Sequence, residues 1–254
     1  MHPYTPIVDA EAVVLVPALA IAYAAASRRF PPSRPRVAAF ATGLALILVA
    51  FVSPLEPLAL HYLLTAHLLQ NVVLAEWAPP LLLLGLSPAL AARIARPRVV
   101  SALTHPFVAL PLWLLTYFAW HVPPAYDGAL RHTGSLLLLE HVCYLATGLL
   151  LWWPVVHAPP HNLHDGARAL YLFAAFVLAS PLGLLFALLP SALYETYKSA
   201  PRVWDLTPLG DQQIAGLTMA TEQAVVFFVV CAFFFTRFLA DEDAGRVAHA
   251  RHRT

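Results

Sequence analysis

Charge is the scarcest commodity in this chain. Of 254 residues only 11% are charged, against 60% hydrophobic, and the mean hydropathy is +0.69. Soluble domains carry roughly a quarter charged residues, so this composition excludes them and points to an integral membrane protein. A net charge of +1 leaves no basic stripe to neutralise phosphates, which excludes nucleic acid as a partner. Cysteine is nearly missing too: Cys143 and Cys231 stand apart in apolar stretches without CxxC spacing. That excludes a disulfide framework and a soluble zinc motif, and both read as small buried hydrophobes. No nucleophile elbow, phosphate loop or dinucleotide fingerprint is found, so the chain does not read as an enzyme. The N-terminus lacks a basic segment followed by a cleavage site, and the first apolar stretch is expected to be retained.

What the chain does have is long apolar runs. A spanning helix needs about 20 such residues, and about seven windows qualify: 10–27, 36–53, 60–86, 102–121, 136–156, 168–189 and 214–238. Pro-, Arg- and His-rich connections separate them. The expected fold is therefore an all-α polytopic membrane bundle, a single domain over 1–240 with a charged tail over 241–254. Arginine fixes the expected orientation, because Lys and Arg favour the cytoplasmic side. Arg28, Arg29, Arg34, Arg36, Arg93, Arg96, Arg98, Arg168 and the tail arginines fall on one side; Arg131, Lys198 and Arg202 fall on the other. The N-terminus is thus expected outside and the C-terminus in the cytoplasm.

Polar residues inside these runs need partners, since each is costly in hydrocarbon. Residues 66–88, "AHLLQNVVLAEWAPPLLLLGLSP", carry His67, Gln70, Asn71 and Glu76. Counting the ~1.5 Å rise per residue from the outer ends puts His67, Glu140, His141, Met219 and Glu222 in the outer half of the bilayer. His121 is placed at the outer water interface. Four separate helices thus deliver donors to one depth. Imidazole with thioether suits copper, with nearby carboxylates and amides orienting the rings. The metal-binding set expected is His67, His121, His141 and Met219. The quoted stretch reads as one wall of a polar chamber open to the outer side. Glu76, about 24 Å down by the same count, is expected to stay clear of it. In "HAPPHNLHD", His157, His161 and His164 resemble a metal cluster, but Pro159-Pro160 break the helical spacing that would align them.

These motifs resemble a known family, the polytopic CtaG-type assembly factors of caa3-type cytochrome c oxidase. The residues that carry the likeness are "AHLLQ" and "APPLLLLGLSP", "WHVPPAYDGALRH", "LEHVCYLATGLLLWWPV" and "LGDQQIAGLTM", in order between about residues 50 and 235. The resemblance implies a seven-span protein of the bacterial inner membrane that helps mature a terminal oxidase by aiding formation of its copper centre. It implies an oxidase subunit or a copper chaperone as partner. The family's polar positions fall on His67, Gln70, His121, Asp127, Glu140, His141, Asp211, Gln212 and Gln213. Asn71 stands where family members carry a second histidine, "MATEQA" with Glu222 replaces a "MWVPGG"-like stretch, and Glu76 occupies a usually apolar position. Two other readings stay open: a structural partner of a respiratory complex that binds no metal, and a small metal-ion or proton transporter with Glu76 and Glu222 on its path.

Overall fold

The structure is a computed structural model that describes residues 4–5 and 11–251. Among these there is no strand, and long apolar helices set the architecture. In chain order they are α1 (Ala12–Arg29), α2 (Arg34–Val52), α3 (Leu55–His61), α4 (Leu64–Gly85), α5 (Pro88–Ile94), α6 (Arg98–Leu103), α7 (Pro106–Trp120), α8 (Pro123–Arg131), α9 (Thr133–Val156), α10 (Asp165–Leu188), α11 (Glu195–Lys198) and α12 (Pro208–Arg251). Among the described residues six of them, α1, α2, α4, α9, α10 and α12, are long and apolar enough to cross a membrane, and α7 is a shorter apolar helix. Large apolar side chains point outward along them, among them Ile21, Phe107, Leu115, Leu170, Leu188, Phe228 and Val229. Water would penalise that surface and lipid would not. The fold is an all-helical, multi-pass membrane bundle.

The helix starts differ from the sequence reading by a few residues, and two of the differences move site residues in depth. The third span begins at Leu64, not 60, because Tyr62 and Leu63 leave helical geometry and split off α3. Glu76 then lies about 18 Å along α4, near its middle. The last span opens at Pro208, a residue suited to the first helical turn, so Met219 and Glu222 sit deeper than a start near Gln213 implies. The charged segment after residue 240 continues α12 to Arg251. Residues 252–254, with Arg253, lie outside the described residues, as do 1–3 and 6–10 of the expected domain.

The connections gather at two ends. At the arginine end Arg36 donates to the carbonyls of Leu84 and Leu86 at 3.0 and 2.6 Å, and Arg237 pairs with Asp165 at 2.8 Å. His157, His161 and His164 lie there too, each with a different partner. His157 Nε2 meets the Leu83 carbonyl at 3.0 Å, His161 Nε2 the Ser101 carbonyl at 2.7 Å, and His164 caps α10 by accepting from Ala167 N–H. These contacts answer the expected cluster: the three rings act as separate ties. Burial holds His157 down to about 4, with the Arg36 charge adding to it. An unfolded histidine titrates near 6.5, so between about pH 6.5 and 4 the unfolded chain binds the extra proton and stability rises with pH. The melting temperature in detergent is expected to fall on acidification through that window, and His157→Asn to flatten the fall. An identical slope in the variant would contradict the assignment.

Small residues let the helices close. A Cβ on Gly216 of α12 would stand 2.5 Å from the Gly183 carbonyl oxygen and 2.6 Å from Ala187 N of α10, so the two backbones touch without intervening side chains. Across the bundle Trp152 stacks on Phe227 at 5.6 Å, and Trp113 meets the same ring edge-on at 5.8 Å. Cys143 and Cys231 are free and half-buried rather than buried.

Candidate functional site

The end opposite the arginines holds the polar cluster. His67 comes from α4 and Glu140 with His141 from α9. They meet because α9 packs closely on the middle of α4, where Gly148 leaves no room for a side chain: a Cβ there would overlap the Ala75 carbonyl oxygen and sit 2.8 Å from Pro79 Cγ. Pro79 and Pro80 lack the N–H groups that would bond back to residues 75 and 76, and the turn Val73–Trp77 just before them widens to π-helical geometry. Such turns recur at functional sites, and this one carries Glu76.

His67 Nε2 faces Glu140 Oε1 at 3.6 Å, and Asn71 Nδ2 donates to the same oxygen at 2.9 Å. Behind the ring, Tyr197 donates its proton to the Ala59 carbonyl at 2.6 Å. The 3.2 Å contact between His67 Nδ1 and Tyr197 Oη is therefore an N–H donated by the histidine. With Nδ1–H committed, Nε2 is the ring nitrogen turned toward the Glu140 carboxyl. The His67 and His141 rings stand 6.1 Å apart at 79°, and Phe51 packs 5.0 Å from His141.

The cluster is sealed, contrary to the open chamber expected from the sequence. His67 and His141 are each 1% exposed and Glu140 is 0%. Tyr126 covers His67 at 4.9 Å between ring centroids and stacks on Tyr194 at 4.0 Å. Burial raises the phenols of Tyr126, Tyr194 and Tyr197 above their ordinary value, so the lid stays uncharged. His121 is buried beneath that lid and not at a water interface: Tyr194 donates to its carbonyl at 2.9 Å, and its Nδ1 donates to the Tyr117 carbonyl at 2.6 Å. Burial pushes this imidazole down to about 4, so it is neutral.

The remaining polar positions tie the ends of helices. Asp211 of α12 accepts from Leu64 N–H at 2.6 Å and Thr65 N–H at 3.1 Å, and from the Thr65 hydroxyl at 2.7 Å. It thus caps α4 from another helix and fixes the start of the span that carries His67. Asp127 of α8 does the same for α11, accepting from Glu195 and Thr196 N–H and from the Thr196 hydroxyl, which sets Tyr197 behind His67. Gln212 accepts from Leu193 N–H at 2.6 Å. Gln70 donates to the Ala50 carbonyl at 2.9 Å and to Glu56 at 2.6 Å, while Gln213 is half-buried. Replacing Asp211 by alanine orphans two N–H groups and is expected to cost about 1–2 kcal/mol, read as a lower melting temperature, with Asp211→Asn intermediate. An unchanged melt would contradict the capping role.

Met219 and Glu222 lie deeper. Met219 lines a small cavity with Asn71, Glu76, Tyr117, His121 and Tyr144. Glu222 accepts from Trp77 Nε1 at 3.0 Å. Among the described residues, no group of three or more His, Cys, Asp and Glu side chains is arranged to hold a metal ion.

The family model of the cytochrome c oxidase caa3 assembly factor matches residues 19–241. The chain belongs to that family. Two uncharacterized proteins, from Mycobacterium bovis and Mycobacterium tuberculosis, are each 27% identical over 242 residues, covering 84% of this chain and 36% of their own length. The chain thus spans about a third of those relatives. No solved structure gives a significant match. Membership in an assembly-factor family accords with a non-catalytic role.

Several residues of the site escaped the sequence reading. Glu56, Tyr126, Tyr194, Tyr197 and Gln223 are all buried within or beside the cluster. Four of them lie in connections or short helices, where a tyrosine or glutamate is unremarkable by pattern. The fifth follows Glu222 directly, and that adjacency was the available signal.

Proposed function

We propose that this protein assists assembly of a haem-copper oxidase in a bacterial inner membrane, working at the extracytoplasmic face, and that copper is its cargo. Family membership supports the oxidase. The observation that carries the copper reading is the meeting of His67 and His141 around Glu140. A metal–nitrogen bond of ~2.0 Å puts an imidazole centroid ~3 Å from a bound ion, so rings 6.1 Å apart are within reach of one shared ion. A carrier that must surrender its cargo gains from few strong donors. His121 and Met219, on the wall of the deeper cavity, take no part in this pair. Glu140 and Asn71 orient the imidazoles, and loading requires the tyrosine lid to open.

A second reading, a structural partner of the oxidase that binds no metal, is favoured by one specific observation: His67 Nδ1 is already bonded to Tyr197, and its Nε2 is turned toward the Glu140 carboxyl. Complementation separates the two. In cells deleted for the protein, the double variant His67→Gln/His141→Gln, present at normal levels, is expected to leave the oxidase copper-deficient and to be partly rescued by added copper. Full oxidase assembly with that variant would overturn the copper reading in favour of the structural one.

A further inference from the structure

Deeper than the histidine pair, two carboxyl groups lie side by side. Crossed hydrogen bonds from their chain neighbours, Gln223 to Glu76 and Trp77 to Glu222, hold Glu76 of α4 beside Glu222 of α12, and Glu76 is fully buried. Gln223 donates to Glu76 Oε1 at 3.0 Å, and Trp77 donates to Glu222 Oε2. Their other oxygens, Glu76 Oε2 and Glu222 Oε1, receive no donor from any neighbouring group. Two carboxylates cannot both stay ionised side by side within a low-dielectric interior, so a proton belongs between them.

A second, independent observation lies beside this pair. Glu76, Asn71 and His121 share the wall of a small cavity of ≈ 10 Å³. Three of its buried polar atoms, Asn71 Oδ1, His121 Nε2 and Glu76 Oε2, lack a partner. All three accept hydrogen bonds, His121 because its Nδ1–H is given to the Tyr117 carbonyl. Such a space holds one water when two to four polar groups face it. A water donates two protons, so one water in this space can bridge the Glu76 carboxyl to His121 Nε2.

The geometry points to a proton-binding site inside the membrane, the Glu76–Glu222 pair, in hydrogen-bond contact through one buried water with His121 at the end of the bundle opposite the arginines. The titratable groups facing it are Tyr117 and His121 from the α7 end and Tyr144 from α9, with Glu140 behind Asn71. This site lies apart from the histidine pair and does not depend on the copper reading.

Infrared difference spectroscopy on the full chain in lipid nanodiscs tests it. The wild type at neutral pH should show the C=O stretch of a protonated carboxyl that shifts on transfer to D2O. Glu76→Gln and Glu222→Gln should each abolish that band. His121→Phe, which removes one acceptor, and Leu68→Phe, which fills the cavity from its apolar wall, should keep the band but slow its exchange by about tenfold or more, since access then needs local opening. Absence of the band in the wild type, its survival in either glutamine variant, or unchanged exchange in the folded cavity variants would overturn the proposal.

Discussion

Replacing Glu140 with leucine is expected to destabilise the protein by about 3–5 kcal/mol, the range for breaking one side of a buried polar pair. Glu140 is wholly buried, and removing it strands two neighbours. Asn71 Nδ2 loses its 2.9 Å acceptor, and His67 Nε2 loses the group it faces at 3.6 Å. Neither can turn to water beneath Tyr126. Glu140→Gln keeps the shape and one acceptor, and is expected to recover more than half of the loss. Thermal unfolding followed by circular dichroism, read beside retention on a sizing column, checks both. A leucine variant as stable as the wild type would mean that the cluster carries no structural weight.

The second large effect belongs to Gly148. Placing valine there drives a branched Cβ into the Ala75 carbonyl and toward Pro79 Cγ. A backbone oxygen cannot rotate aside as a flexible side chain can, so the helices must separate. Overpacking of this kind costs about 3 kcal/mol, the upper part of its usual range. The separation would act on the site, because α9 carries Glu140 and His141 two turns from Gly148 while the opposing α4 carries His67. Gly148→Val is therefore expected to lower the melting temperature and to weaken any His67–His141 function together, whereas Gly134→Val, whose Cβ would meet nothing within 4 Å, should change neither. Loss of stability with the site's function intact would contradict the coupling.

The bundle was legible because lipid demands long apolar runs and arginine alternates between connections; both signals are local. Counting depth along helices also brought His67, Glu140 and His141 to one level. Depth alone does not reveal what covers a residue. The lid comes from α8 and α11, short helices between spans with no hydropathy signal, so a sealed cluster read as an open chamber. The same blindness set Asp127 and Asp211 beside the histidines as polar partners, when they act one step away by capping the helices that hold the cluster. Glu76 was placed too deep because α3 and α4 read as one run; the break at Tyr62 and Leu63 lies in backbone geometry, within a stretch that is apolar throughout. Once that offset is removed, Glu76 shares a cavity with Asn71 and His121.

The central claim, that His67 and His141 act as one copper-handling pair, is tested most directly by Cu(I) competition titration of the purified protein. The wild type is predicted to bind one equivalent that both His67→Gln and His141→Gln lose, while His132→Gln, at an exposed ring on the same end, retains it. Equal binding by the wild type and both single variants, or none by the wild type, would contradict it.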